Sequence, residues 1–248
     1  MPLAVHRRFA YRRHPMIRGV AIETSGRVGS VATVLDGRVL DERAFPHGLQ
    51  HAAGLLPLVD RMCRAEGWGP QAVDELYVSA GPGSFTGLRI GVTLAKTLAL
   101  ATGVRLVAVP TVDVLAANAP PIARSLIIVL DAKRGQIYTA RFTRPAADAP
   151  WSTVEPAHLD VLTDVLARAP RPVHLLGDGI PYHREHVPAD DTTVVVTAED
   201  DWRPRAAAVA DRGYGLARRD AFADPFRLTP VYLRKPEAEE KWERAHGG

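Results

Sequence analysis

Gly81-Pro82-Gly83-Ser84-Phe85-Thr86-Gly87-Leu88-Arg89-Ile90-Gly91 (GPGSFTGLRIG) lies between a short β-type apolar run, Glu75 to Ser79, and a long helical pattern. Pro82 presets one φ, and the glycines on either side accept the crowded or left-handed geometry of a tight turn. Ser84 is placed to cap the helix that follows through its hydroxyl. Strand, glycine turn and helix N-terminus together make a recipe for an anion site, because free N–H groups and the positive end of the helix dipole point the same way. No Gly-Lys-Ser/Thr follows, so this is not a P-loop, and the GxGxxG dinucleotide fingerprint is absent. Two readings stand at this point: a phosphate cradle, or a turn whose glycines only let the chain reverse.

The helix reads from Phe85 to Thr102, with Gly103 as its C-cap. Gly87, Gly91, Ala95 and Ala99 recur every four residues and share one face. So small a stripe admits another backbone very closely, either the chain's own or that of a partner subunit. The adjacent Leu88, Val92 and Leu98 are more apolar surface than a single-faced helix needs.

Working outward toward the N-terminus, three strands are expected at about residues 17–24, 28–35 and 38–45. Asp36-Gly37 is the turn of the second hairpin, since both central positions of a type I′ turn need positive φ. A helix is expected from Leu49 to Arg64, interrupted or delayed by Pro57, and a further strand at Arg105 to Val109. The second half opens with a helix near Val112 to Asn118, then a strand at Ser125 to Leu130 and its hairpin partner at Gln136 to Phe142. Weaker strand signals follow at Val173 to Leu176 and Thr193 to Val196, and Pro145, Ala146 and Pro150 mark a loop. A β-meander followed by helix, strand, helix, strand, and then a second mixed half, predicts an α/β protein of two lobes. The expected division is a basic extension at 1–15, an N-terminal lobe at 16–110, a C-terminal lobe at 111–235 and a charged tail at 236–248. The order matches the actin-like ATPase architecture, a likeness of fold that says little about function.

Composition is that of an ordinary globular chain, with 46% hydrophobic and 24% charged residues in 248. A single cysteine, Cys63, and no apolar run long enough to span a bilayer predict a cytoplasmic protein without membrane contact. The net charge of +3 comes from the front: Arg7, Arg8, Arg12 and Arg13 precede Met16 with no acid among them, leaving 27 basic against 28 acidic residues beyond. That stretch has neither the apolar region nor the cleavage site of a secretory signal. It reads as a disordered extension or a misassigned start ahead of Met16, with an RNA-touching arm as the alternative.

Taken whole, GPGSFTGLRIG with the following VTLAKTLA resembles the signature of the TsaB (YeaZ) family. AIETSGRVGSVA (21–32), HAAGLLPLVDRM (51–62), VLDAKRGQIYTARF (129–142) and PVYLRKPEAEEKW (230–242) resemble the same family's first hairpin, first helix, second-lobe hairpin and C-terminal end. The resemblance implies an actin-like fold and a non-catalytic subunit that pairs with the paralogue TsaD. TsaD transfers threonylcarbamoyl to adenosine 37 of tRNAs reading codons that begin with A, and the ATPase TsaE assists. It also implies a homodimer when the chain is alone, contact with tRNA only through the complex, and no required cofactor, with ATP or ADP placed at or near the partner interface. The partner surface is expected on the two helices beside the glycine turn, at Leu55, Leu58, Met62, Gly87, Leu88, Gly91, Val92 and Ala95. Glu23, Thr24 and Ser25, with Gly81, Pro82, Gly83 and Ser84, would be a spent nucleotide loop. The family usually carries Asp where Glu23 stands, and a longer side chain would displace a metal-bound water there by about a bond length.

Other chemistries fit less well. His47 and His51 have the spacing of a zinc pair on one helix face, but position 48 is Gly where a metallopeptidase needs its glutamate base. TsaD carries metal-binding histidines in an HxxxH pattern after the strand behind the glycine-turn helix. Here that stretch is Val109-Pro110-Thr111-Val112-Asp113-Val114-Leu115, without histidine. A small-molecule kinase or ATPase of the actin-like group would need a second phosphate loop. Gly177-Asp178-Gly179 is the one candidate for it and reads more readily as a turn, and Asp131 with Lys133 and Arg134, a further candidate site, reads more readily as a charged hairpin. Aromatic residues at 6% and the lack of a basic stripe among them give no nucleic-acid groove.

Overall fold

The computed structural model describes residues 16–46, 51–69 and 71–233. The basic extension, the charged tail, His47 and the side chain of His51 lie outside the described residues. The chain builds two five-stranded sheets of like plan. In the first, β1 (Arg18–Glu23), β2 (Val28–Leu35) and β3 (Arg38–Pro46) form an antiparallel meander, and β4 (Glu75–Ser79) and β5 (Arg105–Val109) add parallel to β1 in the order β3-β2-β1-β4-β5. In the second, β6 (Ser125–Asp131), β7 (Ile137–Thr143) and β8 (Ser152–Asp160) are antiparallel, and β9 (Val173–Leu176) and β10 (Val194–Val196) add parallel to β6. The order is β10-β9-β6-β7-β8, which makes the second half a structural echo of the first.

Local chemistry explains the elements. Asp36 and Gly37 both take positive φ, 49° and 81°, and turn β2 into β3. α1 (His51–Ala65) continues through Pro57, and its expected start at Leu49 lies outside the described residues. α2 (Phe85–Thr102) ends on Gly103 at φ 75°, whose N–H bonds back to the carbonyl of Ala99. α3 (Thr111–Ala116) and α4 (Leu162–Arg168) are short. Residues alternate between the two faces of each strand, so Val20 and Ile22 meet α1 and α2 while Ala21 faces the other way. β6 reads as a continuous apolar run because both of its faces are covered, by Val112 and Leu115 on one side and Leu162 and Val165 on the other.

Two features depart from the sequence expectation. β8 was not foreseen. It is an edge strand with Pro156 inside it, register irregularities against β7 and no buried residue, so it lacks the alternation that betrays a strand. The second concerns α5 (Ala206–Ala217), within the stretch 111–235 assigned to the C-terminal lobe. α5 packs on the first sheet, placing Ala206, Val209, Ala210 and Ala217 against Ala21, Ala32, Tyr77 and Val107. The reason is Tyr77. Its ring fills the space left open by Gly19 of β1 and Gly213 of α5, where added Cβ atoms would lie 2.8 and 2.6 Å away. Glu75 beside it is wholly buried and accepts from the Tyr77 hydroxyl at 2.6 Å, from Arg105 at 2.6 Å and from Arg218 at the end of α5. Past α5 the chain stays on the first sheet: the N–H of Ala223 donates to the carbonyl of Leu106, and that of Val231 to the carbonyl of Ala80.

Candidate functional site

The carboxyl ends of β1 and β4 bring Glu23, Thr24 and Ser25 against Gly81, Pro82, Gly83 and Ser84, the set read from the sequence as one loop. The peptide between Gly81 and Pro82 is cis. Ser84 caps α2 as expected, its hydroxyl accepting from the N–H of Gly87 at 3.2 Å. What occupies the concave side of the turn is the chain itself. The N–H of Ser84 donates to the carbonyl of Ser25 at 2.8 Å, and a Cβ on Gly83 would lie 2.6 Å from that same oxygen. The glycines therefore serve a close approach of two loops. On the other flank a Cβ on Gly81 would lie 2.9 Å from the carbonyl of Val231.

Glu23 is fully buried and turned back on its own loop. Its Oε1 accepts from the N–H of Ser25 and, at 2.6 Å, from the Ser25 hydroxyl, while Oε2 has no hydrogen-bond partner. Burial pushes its carboxyl above the ordinary carboxylate range, against the opposing pull of those Ser25 hydrogen bonds. A carboxyl so placed favours its neutral form and is engaged in shaping the β1–β2 turn.

Seven of the eight residues expected to face a partner are buried in the chain itself. Leu55, Met62, Leu88, Val92 and Ala95 are buried inside the chain, at 0 to 4% exposure. Gly87 and Gly91 are also buried, so close to Thr24 that no side chain fits at either. Leu58 alone is half-buried. The small-residue stripe is thus consumed by the chain's own β1 end, because Thr24 must pass over α2 to bring Ser25 to the turn. The apolar groups that α1 and α2 leave half open are Leu58, Ile90, Leu94 and Leu98, and Leu56 of α1 is 47% exposed.

The second-sheet candidates are turns held by their own contacts. Asp131 accepts from the backbone N–H of Lys133 at 2.9 Å and from its ammonium at 2.7 Å. Gly179 lies on the end of β6, its N–H donating to the carbonyl of Val129 at 3.0 Å. Among the described residues no group of three or more His, Cys, Asp or Glu is arranged to hold a metal ion, and no helix is long and apolar enough to cross a membrane. Sequence reasoning missed Arg27, which reaches from the first lobe to Tyr182 and bears on Asp178, and Tyr182 and His183, which meet Lys133 and Asp131 within the second lobe. They come from separate turns with no shared spacing to signal them.

Two mixed sheets of matching plan, with the glycine turn closed by its own β1–β2 loop, define a two-lobed α/β protein of actin-like fold. A tRNA threonylcarbamoyladenosine biosynthesis protein TsaB from Bacillus subtilis (strain 168) is 32% identical over 229 residues, 90% of this chain and 96% of that protein. The TsaB protein of Escherichia coli (strain K12) is 32% identical over 131 residues, 52% of this chain and 56% of that one. A crystal structure of a Pseudomonas aeruginosa protein with similarity to peptidase YeaZ superposes with a TM-score of 0.75 at 25% identity, covering 88% of this chain and all of that chain. The family model for TsaD, tRNA N6-adenosine threonylcarbamoyltransferase, matches residues 48–161. The chain belongs to the TsaB family.

Proposed function

We propose that this chain acts in tRNA threonylcarbamoyladenosine biosynthesis as the non-catalytic partner of TsaD, supporting formation of the threonylcarbamoyl group on adenosine 37 of tRNAs reading codons that begin with A. The observation that carries the non-catalytic part is α3. The stretch in which the transferase sister family keeps metal-binding histidines here buries Val112, Val114, Leu115 and Ala116 in the core. No histidine stands there, and Asp113 is its one carboxylate. The docking part is supported by the half-open row Leu58, Ile90, Leu94 and Leu98 on α1 and α2, which is apolar surface next to the glycine turn.

In this reading the same face joins two copies of the chain when TsaD is absent, TsaE joins the pair as a third component, and tRNA is met only by the complex, in the cytoplasm. A nucleotide, ATP or ADP, sits at or near the shared face, since Ser25 occupies the concave side of this chain's own turn. The test is co-expression with the cognate TsaD and size-exclusion chromatography. The expected result is one co-eluting heterodimer, together with threonylcarbamoyl transfer to tRNA by the pair with TsaE and none by this chain alone. Two independent peaks, or transfer by this chain alone, would overturn the reading.

A further inference from the structure

We infer, on the reading of the chain as a subunit of a tRNA-modifying pair, that Tyr182 with Arg27, Lys133 and Arg134 forms a surface for an unpaired stretch of RNA. One base lies on the tyrosine ring and the neighbouring phosphates meet the cations. The sequence holds no basic stripe among its aromatics, yet the fold assembles one from three turns. Arg27 comes from the β1–β2 turn, Lys133 and Arg134 from the β6–β7 turn, and Tyr182 from the helical turn after β9. The guanidinium of Arg27 lies 5.4 Å from the centre of the Tyr182 ring, and the ammonium of Lys133 lies 5.1 Å from the same ring. The ring is 50% exposed, and all three cations are exposed too. A half-open aromatic ring with positive charge at its rim offers both things that single-stranded nucleic acid requires, a stacking face and a partner for phosphate. An acidic peptide would use the cations and leave the ring idle.

The acids nearby are withdrawn from this surface. Asp131 accepts from the backbone N–H and the ammonium of Lys133, and its side chain is 14% exposed. Asp178 is half-buried, and burial pushes its carboxyl above the ordinary carboxylate range against the pull of Arg27. Glu185 is exposed, with His186 3.6 Å away. The charge turned to water around the ring is therefore positive, although the chain beyond its basic extension carries 27 basic against 28 acidic residues. The backbone points the same way. Lys133 and Arg134 take φ of 64° and 56°, a left-handed conformation that glycine would adopt without cost and that long side chains disfavour. Such strain gathers at ligand sites, and here it sets two cations beside one ring. The patch also stands close to α2, since Ser25, two residues before Arg27, accepts from the N–H of Ser84.

Fluorescence anisotropy of a labelled, unmodified tRNA transcript titrated with the co-purified TsaD pair tests this. Tyr182→Ala is expected to raise the Kd about fivefold or more through the loss of one stacked base, whereas Tyr182→Phe binds as wild type. Arg27→Gln and Lys133→Gln are each expected to weaken binding and to flatten the plot of log Kd against log salt by about 0.7, the share of one phosphate contact on a single strand. A fully paired RNA duplex should bind wild type and Tyr182→Ala alike. An unchanged Kd in Tyr182→Ala, or an unchanged salt slope in Arg27→Gln, overturns the surface. If Tyr182→Ala loses co-elution with TsaD, the salt slope of Arg27→Gln, from the other lobe, decides. Failure of the wild-type pair to form counts against the functional reading instead. The isolated chain is then titrated with the same transcript at low salt, and equal behaviour of wild type and Tyr182→Ala overturns the surface there.

Discussion

Gly91 of α2 and Thr24 at the end of β1 touch so closely that a Cβ on Gly91 would overlap the threonine Oγ1. Thr24 is itself 2% exposed, and its Oγ1 has no hydrogen-bond partner, so it has nowhere to retreat. Gly91→Ala is therefore expected to destabilise by about 1–3 kcal/mol through overpacking. Gly91→Leu should abolish the folded protein. Urea denaturation of the isolated chain measures the first; a Gly91→Ala variant with wild-type stability would contradict the close approach.

Leu94 offers the contrasting case. It is half-buried on the outer flank of the same helix. Leu94→Glu is expected to lower the stability of the isolated chain by no more than about 1 kcal/mol, in the usual range for a surface-side change. It should nevertheless remove co-elution with TsaD. A thermal melt and a size-exclusion run on the same preparation separate the two effects, and retained co-elution would move the docking face elsewhere.

Tyr77 predicts the attachment of α5. Truncating a buried aromatic costs about 3–5 kcal/mol, and Tyr77→Ala leaves the space between Gly19 and Gly213 empty as well as removing a donor to the buried Glu75. Exchange of α5 amides should rise with that loss, before exchange in the second sheet does. Equal protection of α5 in wild type and variant would show that its other contacts with the first sheet hold it without Tyr77.

Glu23 predicts a pH dependence. Its folded-state value lies above the ordinary 4.5, so the folded chain holds the proton more tightly than the unfolded one. The stabilisation linked to that proton is complete below about pH 4.5 and is lost as pH rises through the folded value. Glu23→Gln has no such proton. The urea midpoint of wild type relative to Glu23→Gln should fall as pH rises from 4 to 7; a constant difference would mean that burial does not perturb this carboxyl.

Much of the fold was legible because the first lobe is locally consistent. β2, β4, α2 and β5 fall where the sequence pattern put them, since each carries its own period and its own stop, as Gly103 does for α2. α5 was illegible for a physical reason: Gly213 and Gly215 read as helix breakers, and only the ring of Tyr77, more than a hundred residues away, explains Gly213. The burial of most of the expected partner residues within the chain was hidden for a related one. An apolar stripe is selected in the same way whether it is covered by its own chain or by another, so Leu88 and Val92 carried no mark of which. The glycine turn was located correctly, while its filling by Ser25 depends on how β1 ends, which no spacing records.

The return of α5 and the residues after it to the first sheet has a consequence for the order of assembly. Until residues 206–217 are made, the face of that sheet formed by Ala21, Ala32, Tyr77 and Val107 lacks the cover of α5. The glycine turn, likewise, lacks its contact with Val231. During synthesis the second lobe, complete from β6 to β10, can therefore settle before the first, although the first leaves the ribosome earlier. A nascent chain stopped short of residue 206 would expose an apolar surface that the finished protein hides, and that is where quality control would be expected to act.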